Sequence, residues 1–260
     1  MSLRISILGS GSKGNAALVS TDRVRVLVDA GFSFRSLTQR LAAIGESADD
    51  LDAVLISHEH SDHIKGLRTL LKKQKKPTPV YLTERTAGEL EWGEPNPAVE
   101  MFEAGAQLTI GDLEVDTFTT PHDAIDPVGF CFKAGGYKIA HVTDLGYLTE
   151  SIKHRIHGAD MLILESNHDL DMLKVGPYPW FVKQRVMSRV GHLSNEAVSE
   201  YLTSGFDPAT RILVLAHLSG NNNHPEVARM FAGDALEQRG ASETRLLVAQ
   251  QDEPSEVFEF

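Results

Sequence analysis

The run Ser57-His58-Glu59-His60-Ser61-Asp62-His63 constrains this chain more than any other feature. It places four metal-ligand side chains, three His and one Asp, within six positions. The run follows a short apolar segment, Ala53–Ser57, that reads as a buried strand. It precedes Ile64, Leu67, Leu70 and Leu71, whose spacing predicts a helix over His63–Gln74, ended by Pro77 and Pro79. Residues i and i+2 share a side in an extended chain but not in a helix. His58 and His60 therefore grip one metal only if their segment is extended or looped. Asp62 and His63 then diverge as the chain turns into the helix, a geometry that can serve a second metal beside the first.

Composition narrows the ligand chemistry. Cys131 is the single cysteine among 260 residues, so an intrachain disulfide and a Cys-rich zinc site are both excluded. Eleven histidines leave imidazole and carboxylate as the available donors. The net charge of −11 argues against non-specific coating of nucleic acid or anionic membrane, while leaving room for local basic patches. Met1–Ser10 carries no apolar leader, and no apolar run approaches the roughly 18–20 residues of a membrane span. With the single cysteine, this gives a cytoplasmic expectation.

The pattern along the chain is mixed. Strands are expected at Leu3–Leu8, Ala16–Ser20 and Arg23–Val28, the last two joined by a tight turn at Thr21-Asp22, with a helix over Arg35–Ile44. Further strands are expected at Val80–Leu82, Val99–Phe102 and Leu113–Thr119, and a hairpin at Val128–Lys133 and Lys138–Val142 around Gly135-Gly136. Helices follow at Thr149–His157, Trp180–Arg189, Asn195–Ser204 and Pro225–Gln238, interleaved with strands at Met161–Glu165, Arg211–Ala216, Thr244–Val248 and Glu256–Phe260. No linker-like segment or repeat divides the chain. The expectation is one α/β domain over 1–260, with two sheets packed face to face and helices outside.

The H-x-H-x-D-H run resembles the signature of the metallo-β-lactamase superfamily, and that resemblance organises the rest of the sequence. The superfamily's other motifs are matched in order by Asp29 in Val28-Asp29-Ala30-Gly31, His122 in Thr120-Pro121-His122, Asp144 in Thr143-Asp144-Leu145, and His217 in Ala216-His217-Leu218. The resemblance implies a four-layer αββα sandwich of two mixed sheets. It also implies two divalent metal ions (zinc, manganese or iron), one held by His58, His60 and His122 and the other by Asp62, His63 and His217. Asp144 would bridge them, and Asp29 would orient a ligand by hydrogen bonding.

Particular residues separate the branches. His60 stands where flavodiiron oxidoreductases have Glu, and Asp144 where the commonest zinc β-lactamases have Cys. The Asp144–His217 interval is too short for the large extra domain of ribonuclease J-type enzymes. Within it, Gly191-His192-Leu193-Ser194-Asn195 resembles the ribonuclease Z segment whose His acts on the scissile phosphate. With Gly9-Ser-Gly-Ser-Lys-Gly-Asn15 and His217-Leu218-Ser219, it is similar to the YycJ/WalJ-type hydrolases, a group associated with DNA exonuclease activity. The Gly-rich opening also fits G-x-G-x-x-G, but a strand rather than a helix follows it, which excludes a dinucleotide fingerprint. It reads either as a tight turn or as a turn whose amides face a substrate phosphate.

The resemblance implies hydrolysis of a phosphodiester by a metal-bridged hydroxide. Asp62 would also serve as a proton acceptor, and His192 would stabilise the developing charge or protonate the leaving oxygen. Ser12, Asn15, His168 and Ser219 are candidate substrate contacts. Two basic groups can guide a polyanion such as DNA or RNA. One is Lys65, Arg68, Lys72, Lys73, Lys75 and Lys76; the other is Lys174, Lys183, Arg185 and Arg189 near Tyr178, Trp180 and Phe181. A small-molecule phosphodiesterase and a thioester or other acyl hydrolase stay open as alternatives. No membrane partner is expected, and a homodimer fits the superfamily.

Overall fold

The computed structural model describes residues 2–93 and 97–260. The first half runs β1 (Arg4–Gly9), β2 (Ala16–Ser20), β3 (Arg25–Val28), α1 (Phe34–Ala43), β4 (Ala53–Leu55), α2 (Ser61–Ile64), α3 (Leu67–Lys73), β5 (Val80–Thr83), α4 (Glu84–Glu89) and β6 (Val99–Phe102). The second runs β7 (Gln107–Ile110), β8 (Leu113–Thr119), β9 (Val128–Ala134), β10 (Tyr137–Val142), α5 (Glu150–Ile156) and β11 (Met161–Glu165). It continues with α6 (Leu170–Val175), α7 (Trp180–Val186), α8 (Asn195–Ser204), β12 (Ile212–Ala216), α9 (Pro225–Arg239), β13 (Arg245–Val248) and β14 (Phe258–Glu259).

Two seven-stranded mixed sheets result, in the orders β14-β1-β2-β3-β4-β5-β6 and β13-β12-β11-β10-β9-β8-β7. The last strand returns to the first sheet, pairing antiparallel with β1 at Ile5–Phe258. Three buried clusters define the layers. One lies between the sheets, where Ile5, Val26 and Leu55 meet Phe130, Phe132 and Ile163. A second packs α1 and α3, through Leu37, Leu41 and Leu70, on the outer face of the first sheet. A third packs α5, α8 and α9, through Ile152, Leu202 and Ala232, on the outer face of the second. Each sheet is thus covered on both faces, as the four-layer reading requires. Among the described residues no helix is long and apolar enough to cross a membrane.

The local signals act as expected at several points. The β2–β3 turn closes an antiparallel pair. Gly135 and Gly136 both take positive φ (61° and 88°) in the β9–β10 hairpin. Ser194 caps α8, its side chain accepting from the Ala197 amide, and Gly240 ends α9 in the left-handed conformation. The helix expected over His63–Gln74 is instead two helices. The Gly66 amide turns away to the Ala30 carbonyl at 2.7 Å. A Cβ there would lie 1.8 Å from the Phe32 carbonyl oxygen, so the backbone itself fills the space beside the break. The helix expected over Trp180–Arg189 stops at Val186. Helices α4 and α6 and strand β7 go beyond the sequence reading. The short α6 owes its start to Asp169, which accepts from the amides of Asp171 and Met172.

Candidate metal centre and active-site cavity

The sequence-predicted ligands gather where the carboxyl ends of strands from both sheets meet. Asp29 follows β3, the His58–His63 run follows β4, Asp144 follows β10, and His217 follows β12. Asp29, Asp144 and His217 are the non-glycine residues with positive φ among those described (58°, 60° and 55°). Each such conformation costs roughly 1–2 kcal/mol for an L residue. Its concentration at three motif positions shows the chain bent to aim these side chains inward.

Hydrogen bonds fix the rings. The Nδ1 of His63 donates to Asp29 Oδ2 at 2.7 Å, and Asp29 also accepts from the amide and hydroxyl of Ser57. The His63 Nε2 is thereby turned inward, 3.3 Å from Asp144 Oδ2 and 3.6 Å from Asp62 Oδ2. His122 donates Nδ1 to the Gly191 carbonyl at 3.0 Å, leaving Nε2 3.3 Å from His60 Nδ1. The His58, His60 and His122 rings lie with centroids 4.6–5.3 Å apart, nearly perpendicular to one another. His217 donates Nδ1 to Glu165 Oε1 at 2.7 Å.

The donor set fits metal ions. One donor atom each from His58, His60 and His122 lies within 4.8 Å of the others, and the same holds for Asp62, His63 and His217. Asp144 joins both neighbourhoods: with His58 and His63 in one group, and with Glu165, His192 and His217 in another. The Nε2 atoms of His58 and His217 and Oδ2 of Asp144 are buried without a hydrogen-bond partner. Buried polar atoms are rarely left so, because each loses its water uncompensated. Three of them in one His/Asp cluster make a place for a cation.

The electrostatics agree. Burial works against charge on His63 and His217, yet Asp144 and the neighbouring carboxylates hold both imidazoles up, His63 to about 9 and His217 well above its ordinary range. Burial likewise opposes ionisation of Asp62, but the His217 and His63 rings hold its carboxyl below the usual range. His58, buried among other histidines, is pushed well down. The cluster thus carries carboxylate charge that a proton or a metal ion must balance.

A cavity of about 250 Å³ opens beside this cluster, walled by His60, Asp62, His122, Asp144, His192 and His217 on one side. Its other side is Ser12, Asn167, Tyr178, Ser219 and Asn222 with Val182, Arg185 and Val186 of α7. His192 is 16% exposed and donates Nδ1 to Glu165 Oε1 at 2.8 Å. Burial alone would lower its pKa, but the Glu165 carboxylate raises it. Glu165 is the functional residue that the sequence reading passed over. It ends β11 fully buried, its Oε1 shared by His192 and His217 and its Oε2 accepting from the Leu145 and Leu193 amides. A Glu closing the apolar run Met161–Leu164 was the available signal.

The four candidate substrate contacts divide. Ser12 and Ser219 line the cavity. Asn15 instead faces Asp62 Oδ2 (3.2 Å) and His63 Nε2 (3.1 Å), and its Oδ1 accepts from the Gly11 amide. His168 is buried behind the wall, bridging to Ser194 through its backbone. Three amides of the Gly-rich loop are taken: Gly11 donates to Asn15 Oδ1, Gly14 to the Gly11 carbonyl, and Lys13 to Gln251 Oε1. The loop acts as a built turn that seats Asn15 against Asp62.

The basic groups also divide. Lys75 and Lys76 pair with Asp49 and Asp52. Lys183 is buried and donates to the Lys174 carbonyl, and the Arg189 guanidinium stacks 4.1 Å over Tyr147. Arg185 is the cation of these groups that reaches the cavity wall, with Nε 3.3 Å from Asp123 Oδ2.

Comparison with known proteins agrees with this geometry. Residues 24–217 match the family described as the beta-lactamase superfamily domain. The chain is 40% identical over 243 residues to an exodeoxyribonuclease YycJ of Bacillus anthracis, covering 92% of this chain and 91% of that one. It is 37% identical over 240 residues to an exodeoxyribonuclease WalJ of Streptococcus pneumoniae, covering 90% and 88%. The solved metallo-beta-lactamase fold protein YhfI of Bacillus subtilis superposes over the full length of both chains, with a TM-score of 0.79 at 19% identity. The chain belongs to the β-lactamase superfamily and is a hydrolase with the metallo-β-lactamase fold.

Proposed function

We propose that this protein is a metal-dependent phosphodiesterase that degrades nucleic acid from an end, as an exodeoxyribonuclease of the YycJ/WalJ kind. The observation that carries the reading is the pairing of two things at one cavity. A buried His/Asp cluster has three unpartnered donor atoms, and His192 is held beside it by Glu165. The likeness to YycJ over nearly the whole of both chains supports the same reading.

His58, His60 and His122 would hold one ion, Asp62, His63 and His217 the other, and Asp144 both. Divalent ions there would supply Lewis-acid stabilisation of the phosphoryl oxygens and a hydroxide nucleophile near neutral pH. Asp29, Ser57, Glu165 and the Gly191 carbonyl set the tautomer of the rings by taking their Nδ1 protons. His192, protonated and with Nδ1 committed to Glu165, donates its Nε2 proton to the departing oxygen as the P–O bond breaks. Asp62, kept ionised by His63 and His217, accepts the proton released by the attacking water. Asn15 holds the Asp62 carboxylate in place for that step.

A small-molecule phosphodiesterase is the second reading, favoured by the small volume of the cavity. The test compares metal-reconstituted protein on single- and double-stranded DNA, RNA, bis-p-nitrophenyl phosphate and a thioester. Mononucleotide release from DNA, weakening steeply with salt as counterions are released, is the expected result. Turnover of the thioester with no phosphodiester hydrolysis would overturn the reading.

A further inference from the structure

The Gly-rich turn at residues 10–15 is anchored at both ends to loops that carry proposed metal ligands. The Ser10 hydroxyl accepts from the His217 amide at 2.8 Å, and the Asn15 amide donates to the Asp62 carbonyl at 2.8 Å. The tip of the turn is thereby held between those two loops, and Ser12, exposed at the tip, lines the cavity together with Asp62 and His217. All but one of the amides of this turn are spent on the protein. Ser10 donates to the Gln250 carbonyl, Gly11 to Asn15 Oδ1, Lys13 to Gln251 Oε1, Gly14 to the Gly11 carbonyl and Asn15 to Asp62. The Ser12 amide and the Ser12 hydroxyl have no partner among the described residues. The Gly14-to-Gly11 bond makes Ser12 the second residue of a four-residue turn, a position whose amide the turn does not use. Gln251 clasps the tip from outside, its Oε1 taking the Lys13 amide and its Nε2 donating to the Gly14 carbonyl at 2.9 Å.

We propose that Ser12 binds the scissile phosphate, its backbone N–H and its hydroxyl both donating to the non-bridging oxygens. The proposal rests on the phosphodiesterase reading above and adds a contact that the chain itself makes to the reacting group. A phosphodiester offers acceptor oxygens and no donor, so it needs donors that the protein has left unspent. Arg185, the cation at the cavity wall, already faces Asp123, whereas Ser12 brings two unspent donors on one residue. Backbone N–H groups presented by a turn are a recurrent anion-binding device. Because Gln251, Ser10 and Asn15 fix the turn before any ligand arrives, the donors need no rearrangement when negative charge builds on the phosphate.

The experiment compares wild type, Ser12→Ala and Ser12→Pro as metal-reconstituted full-length proteins. Ala removes the hydroxyl alone. Pro removes the amide N–H as well, and its fixed φ suits the second position of a turn. The probes are inorganic phosphate, with its Kd read by calorimetry, and two substrates, bis-p-nitrophenyl phosphate and oligo(dT). From the usual strength of a hydrogen bond to a charged group, Ser12→Ala should weaken phosphate binding and lower kcat/KM on the order of tenfold. Ser12→Pro should do so on the order of 100-fold, with the metal content of both variants matching wild type. The factor should be the same for both substrates, because each carries the scissile phosphate. A loss confined to oligo(dT) would put Ser12 on a flanking phosphate and overturn the assignment. Unchanged phosphate affinity in metal-loaded Ser12→Pro also overturns it. If the Pro variant loses metal, Ser12→Ala decides, and an unchanged phosphate Kd there overturns the proposal. Failure of wild type to hydrolyse any phosphodiester, with phosphate still bound more weakly by the variants, overturns the phosphodiesterase reading and not the Ser12 contact.

Discussion

Glu165 accepts the Nδ1 proton of His192 at 2.8 Å from a strand end that is fully buried. The same oxygen accepts from His217 at 2.7 Å, so one carboxylate orients both a proposed metal ligand and the proposed proton donor. Glu165→Gln keeps the shape but turns one acceptor oxygen into an NH2 group facing N–H donors. We expect a 10–100-fold loss of turnover or metal affinity, the usual size for a group that orients ligands. Steady-state kinetics with metal analysis checks this, and an unchanged variant would remove Glu165 from the mechanism.

His192→Ala should keep its metal content while phosphodiester hydrolysis falls by roughly 10²–10⁴. The pH profile gives a finer test. Burial alone would lower the His192 pKa, but the Glu165 carboxylate raises it, so the protonated acid holds to a higher pH than in a free imidazole. Activity should therefore fall as pH rises through that raised value. In Glu165→Gln this basic limb should move to lower pH, because the charge that held the proton is gone. A limb that stays in place would show that another group titrates.

Asp144→Ala should lose metal and activity together, because Asp144 joins the two ligand neighbourhoods. Metal analysis of the purified variant decides it. Full retention of metal would show that Asp144 does not bridge.

Gly31→Ala tests the close approach of the backbone to Asp62 and Asn15. A Cβ at Gly31 would lie 1.7 Å from the Asp62 carbonyl oxygen and 2.6 Å from the Asn15 amide nitrogen, which are backbone atoms that cannot rotate away. We expect a loss of at least about 1–3 kcal/mol, the range for overpacking, along with weakened metal binding as Asp62 shifts. Urea denaturation and metal titration measure both, and a wild-type result in each would refute the contact.

His168 supplies a pH-dependent stability term. Burial pushes its pKa down to about 4, whereas an unfolded His titrates near 6.5. The stabilising contribution is complete above about 6.5 and is lost as pH falls from there to about 4, up to about 3 kcal/mol. His168→Gln should flatten that part of the stability curve relative to wild type. Denaturant unfolding at pH 7 and pH 5 checks it, and parallel curves would rule the term out.

The fold and much of the site were legible because their signals are local. The His58–His63 run sits within six positions, and the strands that carry Asp29, Asp144 and His217 announce themselves as apolar runs ending in a polar residue. Gly66 was less legible. Nothing in its neighbours tells that its amide leaves the helix for Ala30, because that partner is brought there by β3. Asn15 read as a substrate contact for the same reason: its own segment does not show that Asp62 lies against it.

The amino-acid sequence alone determined which donor types the site contains, where the chain turns to present them, and that no cysteine takes part. Tertiary structure alone decided that Glu165 serves two histidines and that Lys183 and Arg189 are spent on packing. The physical reason is range. Strand and helix periods are set by neighbours a few residues apart, whereas Glu165 meets His192 and His217 only after two sheets close on a shared core. That closure depends on apolar burial spread over the whole chain, which no local pattern encodes.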